Sequence, residues 1–197
     1  MRTSAKSTLL FIATCALSTG ASAHTGHGTH SLMEGLAHPL GADHLLAMLA
    51  VGIWSVSALP ASKVWQGPTT FLLALVVSAA LGASGFSVPF LEHAIALSVV
   101  LFGAMLVLAA KPMPKAFGLG LIALAAALHG LAHGAETPET GFAGYAAGFL
   151  LTTGVLHLSG VGLGLSIRRL LAERSPLALG GLGTVLGGAG LVLFSQI

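Results

Sequence analysis

Of the 197 residues only 7% are charged, 8 Lys+Arg against 6 Asp+Glu, where a soluble domain carries about 25%. With 55% hydrophobic residues, 27 Gly and a mean hydropathy of +0.93, the chain suits a bilayer, which leaves that much apolar surface unpenalised. The basic residues are dispersed one to three at a time, so the pI near 9.0 does not signal a nucleic-acid partner, which needs clustered Lys/Arg to neutralise phosphates. The expected class is an all-α, polytopic membrane protein.

Residues 1–23 read as a cleaved signal peptide: Arg2 and Lys6 form the basic region, Leu9 to Leu17 the apolar stretch, and Ala21-Ser22-Ala23 the small-residue cleavage site. Cys15 is the only cysteine and lies inside this segment, so disulfides and thiolate metal sites are excluded from the mature chain. A tail over 24–37 follows, carrying His24, His27 and His30 among Gly and Thr. Such a tract reads either as a metal-capturing tail or as a flexible segment with incidental histidines.

From residue 38 to 197 the chain is a membrane domain, with apolar stretches near 40–59, 68–86, 89–110, 115–135, 142–166 and 176–196. Each has about the 20 residues that a crossing needs, and Pro, Gly and charged residues fall between them. The expectation is a compact bundle of six transmembrane helices. Beyond the signal peptide, the basic residues are Lys63, Lys111, Lys115, Arg168, Arg169 and Arg174, all in loops on one side. The positive-inside rule makes that side cytoplasmic, so both termini face the periplasm across a bacterial inner membrane, as do Glu92, Glu136 and Glu139. Gly130/Gly134, Gly144/Gly148, Gly160/Gly164 and Gly183/Gly187 are small-x-x-x-small pairs, which let helices approach closely in lipid.

Ionisable groups inside or at the ends of spans are costly and mark function. They stand at three outer helix ends: His38-Pro39-Leu40-Gly41-Ala42-Asp43-His44, Glu92-His93, and His129-Gly130-Leu131-Ala132-His133-Gly134-Ala135-Glu136. His157 lies alone, deeper in the fifth span. His129, His133 and Glu136 are spaced i, i+4, i+7 and share one helix face. Pro39 pushes His38 out of helical geometry, so His38 precedes the first span and folds back toward Asp43 and His44 in its first turns. Imidazole with carboxylate and no thiolate suits Ni²⁺, Co²⁺, Zn²⁺ or Cu²⁺ and disfavours Cu(I). The blander alternative is that these groups hydrogen-bond one another, with Asp43 capping a helix.

Other chemistries fit less of the pattern. Gly82-Ala83-Ser84-Gly85 matches the G-x-S-G of rhomboid intramembrane serine proteases, but a nucleophilic serine leaves the carboxylates unexplained. Bis-histidine haem ligation suits histidines crowded beside acids at one surface less well than a hydrated cation does. No phosphate-binding loop of the G-x-x-x-x-G-K-[ST] type occurs.

At His-Pro…Gly-x-Asp-His-Leu-Leu-Ala-Met-Leu-Ala-Val-Gly (38–52), at Glu92 before Ala94-Ile95-Ala96-Leu97-Ser98-Val99, and at His-Gly-x-Ala-His-Gly-x-Glu (129–136), the chain resembles the HupE/UreJ family of hydrogenase and urease accessory membrane proteins, regarded as nickel/cobalt permeases. The resemblance runs over essentially the whole chain. It implies a secondary permease, not an enzyme, that imports Ni²⁺ or Co²⁺ for hydrogenase or urease maturation, without a prosthetic group and with cytoplasmic nickel-enzyme maturation proteins as partners. Carried over, the metal-handling positions are His38, Asp43, His44, Glu92, His133 and Glu136, with His129 and Phe71 as weaker matches; His157 is no part of that set, and on the permease reading its depth in the fifth span makes it a candidate relay ligand. Phe71 matches a gate or packing position, since its ring offers no ligand atom. One departure is that only Leu40 separates Pro39 from Gly41 where the family has two residues, which bears on the placement of His38 relative to Asp43. A non-transporting, metal-binding accessory protein is the alternative that only flux separates.

Overall fold

The computed structural model describes residues 32–109, 111, 113–136 and 142–197. The signal peptide, His24, His27, His30 and Glu139 lie outside the described residues. Within them the chain forms helices and 3-10 turns and no strand: α1 (Leu32–Ala37), α2 (Ala42–Ala58), α3 (Gln66–Ala83), α4 (Leu91–Val107), α5 (Lys115–Ala135), α6 (Phe142–Leu171) and α7 (Ser175–Phe194). The described part of the 24–37 segment is therefore helical, with Gly35 buried.

Pro39 and Gly41 decide the first bend. The His38–Leu40 turn is closed by the Gly41 N–H donating to the His38 carbonyl at 3.2 Å. Gly41 then takes an extended ψ of 143° before α2 begins, so α1 and α2 meet at 74°. Around α2, Ala47, Met48, Ala50, Val51, Ile53, Trp54 and Val56 are all buried. A helix that is apolar all round belongs in the centre of a bundle, and the other helices pack about it.

Glycines set the helix pairs. Gly35 lies against the backbone of Tyr145 and Phe149, Gly52 against that of His157 and Val161, and Gly164 against Ile53 and Val56. The matching order rises in both segments, so α1 and α2 each run in the same sense as the 30-residue α6. Gly130 lies against Leu75 and Ala79 and Gly134 against Ala79 and Ala83, so α3 and α5 are also parallel. Gly103 meets Gly183 and Gly187 while Gly190 meets Val100, so α4 and α7 are antiparallel. A Cβ at Gly52, Gly130 or Gly134 would overlap the neighbouring backbone, which is how small residues serve association without a hydrophobic drive.

Ala61–Ala83, Lys115–Ala135 and Phe142–Phe194 are long and apolar enough to cross a membrane, and the bent α1–α2 pair makes a fourth. The last stretch, 53 residues, is broken between α6 and α7, where Ala172 takes a φ of 43°. α4 is shorter, at 17 residues, about 26 Å at 1.5 Å per residue. These elements match the six stretches expected from the sequence, except that α6 continues past 166 to Leu171, where the Arg168 guanidinium donates to the Val56 carbonyl at 3.0 Å. Large apolar side chains such as Leu73, Val77, Leu124, Leu151, Leu158, Leu177 and Val185 face outward, as they do on the lipid side of a membrane bundle.

Candidate metal-binding site

Three helical ends converge on one group of imidazoles. The Pro39 turn presents His38, the first turn of α2 presents His44, and the last turn of α5 presents His133. One ring nitrogen from each lies within 4.8 Å of the others. His44 Nε2 and His133 Nε2 are 2.6 Å apart. The His38 ring stands edge-on to His133 at a centroid distance of 4.6 Å and to His44 at 5.9 Å. Leu40 alone between Pro39 and Gly41 is thus enough chain for His38 to turn back on α2.

Asp43 fixes the orientation of His44. Its Oδ1 accepts from the His44 backbone N–H at 2.9 Å and lies 2.8 Å from His44 Nδ1. With the Nδ1 proton held by the carboxylate, Nε2 keeps its lone pair and faces His133, the arrangement that prepares an imidazole for a metal. Glu136, at the end of α5, places Oε2 4.0 Å from His38 Nε2 at the partly exposed rim. The Phe149 ring covers His133 at 4.4 Å and stacks on Tyr145 at 6.3 Å, so α6 walls one side.

His129 sits one turn behind His133. Its ring is perpendicular to His44 at 4.6 Å, and its Nε2 is 2.9 Å from Ser98 Oγ on α4. Phe71 on α3 is fully buried and lies 5.9 Å from the His129 ring and 4.9 Å from that of His157. His157 itself is buried on α6, its Nδ1 2.8 Å from the Thr153 carbonyl oxygen.

The structure thus brings together His38, His44 and His133, places Asp43 and Glu136 at their edges, and puts His129 and His157 on the inner side. Glu92 lies exposed in the first turn of α4 and outside this group. The α4 contact with the histidines is made instead by Ser98, two turns along. His93 packs against the rings of Phe90 and Phe194, an aromatic contact remote from the group. Ser98, Tyr145 and Phe149 were not expected from sequence. Ser98 alone had a signal, as a polar residue in an otherwise apolar stretch. Ser84, the candidate nucleophile, is exposed and donates to the Leu81 carbonyl of its own turn at 2.7 Å.

Three convergent imidazoles with carboxylates beside them can hold a borderline divalent cation and leave a face open toward Glu136. The family described as HupE / UreJ protein matches residues 12–193. The chain belongs to the HupE/UreJ family. It is 37% identical over 184 residues to Protein HupE of Rhizobium leguminosarum bv. viciae, an alignment covering 92% of this chain and 95% of that one. No solved structure matches the chain. The HupE/UreJ match takes in every helix end that contributes to the histidine group.

Proposed function

We propose that this chain is a secondary permease that imports Ni²⁺, or Co²⁺, from the periplasm to the cytoplasm across the bacterial inner membrane, supplying hydrogenase or urease maturation. The observation that carries the reading is the His38, His44 and His133 group, with three ring nitrogens within 4.8 Å, at one end of a bundle of apolar helices. Membership of the HupE/UreJ family supports the same reading. In this account the end carrying Glu92 and Glu136 faces the periplasm, and the opposite end, with Lys63, Lys111, Lys115 and Arg168, faces the cytoplasm. The termini are then periplasmic, and His24, His27 and His30 serve as capture ligands.

The roles follow from the chemistry. Glu136 and Glu92 attract the hydrated cation and Glu136 passes it to His38. His44 and His133 replace hydration water with imidazole nitrogen, and Asp43 holds His44 in the ligating tautomer. Binding shared among several moderate ligands lets the ion leave again, as conduction requires. No prosthetic group takes part; the metal is cargo, handed to cytoplasmic maturation proteins.

The test is uptake of radioactive nickel at submicromolar concentration in cells lacking their own importers, with expression matched by blot. Uptake by the wild type that vanishes in His133→Ala and falls in Glu136→Gln supports import. Wild-type protein that binds nickel yet gives no uptake would reduce the role to metal binding without transport. Unlabelled Co²⁺, Zn²⁺ and Cu²⁺ as competitors rank the selectivity.

A further inference from the structure

Among the buried polar atoms with no hydrogen-bond partner, His129 Nδ1, Thr153 Oγ1 and His157 Nε2 lie inward of the histidine group, as does the Trp54 Nε1 donor on α2. His129, Thr153 and His157 are 0%, 0% and 1% exposed. Buried polar atoms are nearly always satisfied, and an orphan calls for an explanation such as an ion or a water.

The neighbours show what kind of orphans these are. Ser98 Oγ donates its single proton to the Ile95 carbonyl at 2.6 Å, so toward His129 it acts as acceptor and His129 Nε2 carries the hydrogen. Nδ1 of His129 is then a bare lone pair. His157 donates from Nδ1 to the Thr153 carbonyl, leaving Nε2 as a second bare lone pair. Ser55, Ser57, Ser159, Ser166 and Thr184 each bond back to the carbonyl four residues earlier. That is the usual resort of a helical hydroxyl, and Thr153 does not take it. Two imidazole lone pairs and a hydroxyl oxygen, with no proton donor aimed at them, form a donor set for a borderline divalent cation.

The three also lie in order along the bundle. Thr153 and His157 share one face of α6 at i and i+4. They follow Phe149, the ring over His133, by one and two turns, so they lie about 6 and 12 Å deeper at 1.5 Å per residue. His129 lies one turn inward of His133 on α5, and Phe71 touches the rings of both His129 and His157.

We infer that His129 Nδ1, Thr153 Oγ1 and His157 Nε2 form an inner station for the same divalent cation, reached from the outer histidine group past the Phe71 ring. This rests on the permease reading for its direction of travel, and on the orphaned atoms for its ligands.

The experiment places a sulfur at the station. In full-length protein with Cys15→Ser, the variant His157→Cys carries one thiol, and Ni²⁺ or Co²⁺ reaching it produces a thiolate-to-metal charge-transfer absorption that imidazole ligands do not give. In parallel, His157→Leu and the near-isosteric Thr153→Val are assayed for nickel uptake and for Ni²⁺ binding by the purified protein, the retained outer binding reporting a folded bundle. The inference predicts the absorption band in His157→Cys, and uptake reduced about tenfold in His157→Leu, the low end of the loss from disturbing a metal site. Wild-type uptake matched by His157→Leu, with no band in His157→Cys that still binds Ni²⁺, would overturn the inner station and leave the permease reading standing. A band in His157→Cys with no uptake by the wild type would do the reverse.

Discussion

Asp43 and His44 are adjacent in sequence and bonded twice: Asp43 Oδ1 takes the His44 backbone N–H at 2.9 Å and lies 2.8 Å from its Nδ1. The carboxylate thereby orients an imidazole of the cluster. Asp43→Asn keeps an oxygen acceptor but loses the negative charge beside His44, so Ni²⁺ affinity falls about tenfold. Asp43→Ala releases the ring and costs toward 100-fold, the range typical of outer-shell partners. Titration calorimetry on purified protein separates the two, and wild-type affinity in both variants would mean that Asp43 does not govern His44.

Glu92 and Glu136 are both acids at the same end of the bundle but predict different behaviour. Glu136 lies 4.0 Å from His38, whereas Glu92 is exposed at the start of α4. Glu92→Gln therefore slows capture a few-fold at low ionic strength, with the difference fading as salt shortens the Debye length below about 10 Å. Glu136→Gln lowers affinity at all salt concentrations. Uptake measured across a salt series distinguishes them.

Helix approach carries its own prediction. A side chain at Gly134 would meet the backbone of Ala79 and Ala83, whereas one at Gly120 meets open space. Gly134→Val forces α3 and α5 apart, costing at least the 1–3 kcal/mol of an overpacked core and displacing His133 on the same turn. Gly120→Ala leaves thermal unfolding in detergent unchanged or slightly raised, since alanine is the better helix former by about 1 kcal/mol.

Ser84→Ala leaves nickel uptake at the wild-type level. Its hydroxyl is bonded within its own turn at 2.7 Å, so the substitution removes a surface capping contact and nothing from the histidine group. A loss of activity in this variant, measured beside His133→Ala, would reopen a role for the G-x-S-G motif.

Much of this site was legible in the sequence because its parts are expensive. Histidines and acids in a chain that is 7% charged stand out against lipid, and the spacing of 129, 133 and 136 on a helix fixes a shared face. Pro39 signalled the turn that lets His38 rejoin His44. Other parts carried no comparable signal. Six residues are too few for helical periodicity to show, so α1 was hidden within the tail, although Gly35 packs it firmly on α6. Ser98 stood out only as a polar residue in an apolar stretch, and tertiary packing alone reveals that its oxygen meets His129. Which helices pair, α2 with α6 and α3 with α5, depends on the register of glycine contacts between distant segments, and no local pattern encodes a partner.

The most direct test of the central claim is X-ray absorption at the nickel edge on purified protein loaded with less than one equivalent of Ni²⁺. The account predicts multiple-scattering features of about three imidazole ligands at roughly 2.0–2.1 Å, the metal–imidazole distance known for zinc, diminished in His133→Ala and in His44→Ala. A first shell of oxygen alone in the wild type, unchanged by either substitution, would contradict the assignment of His38, His44 and His133 as the metal site.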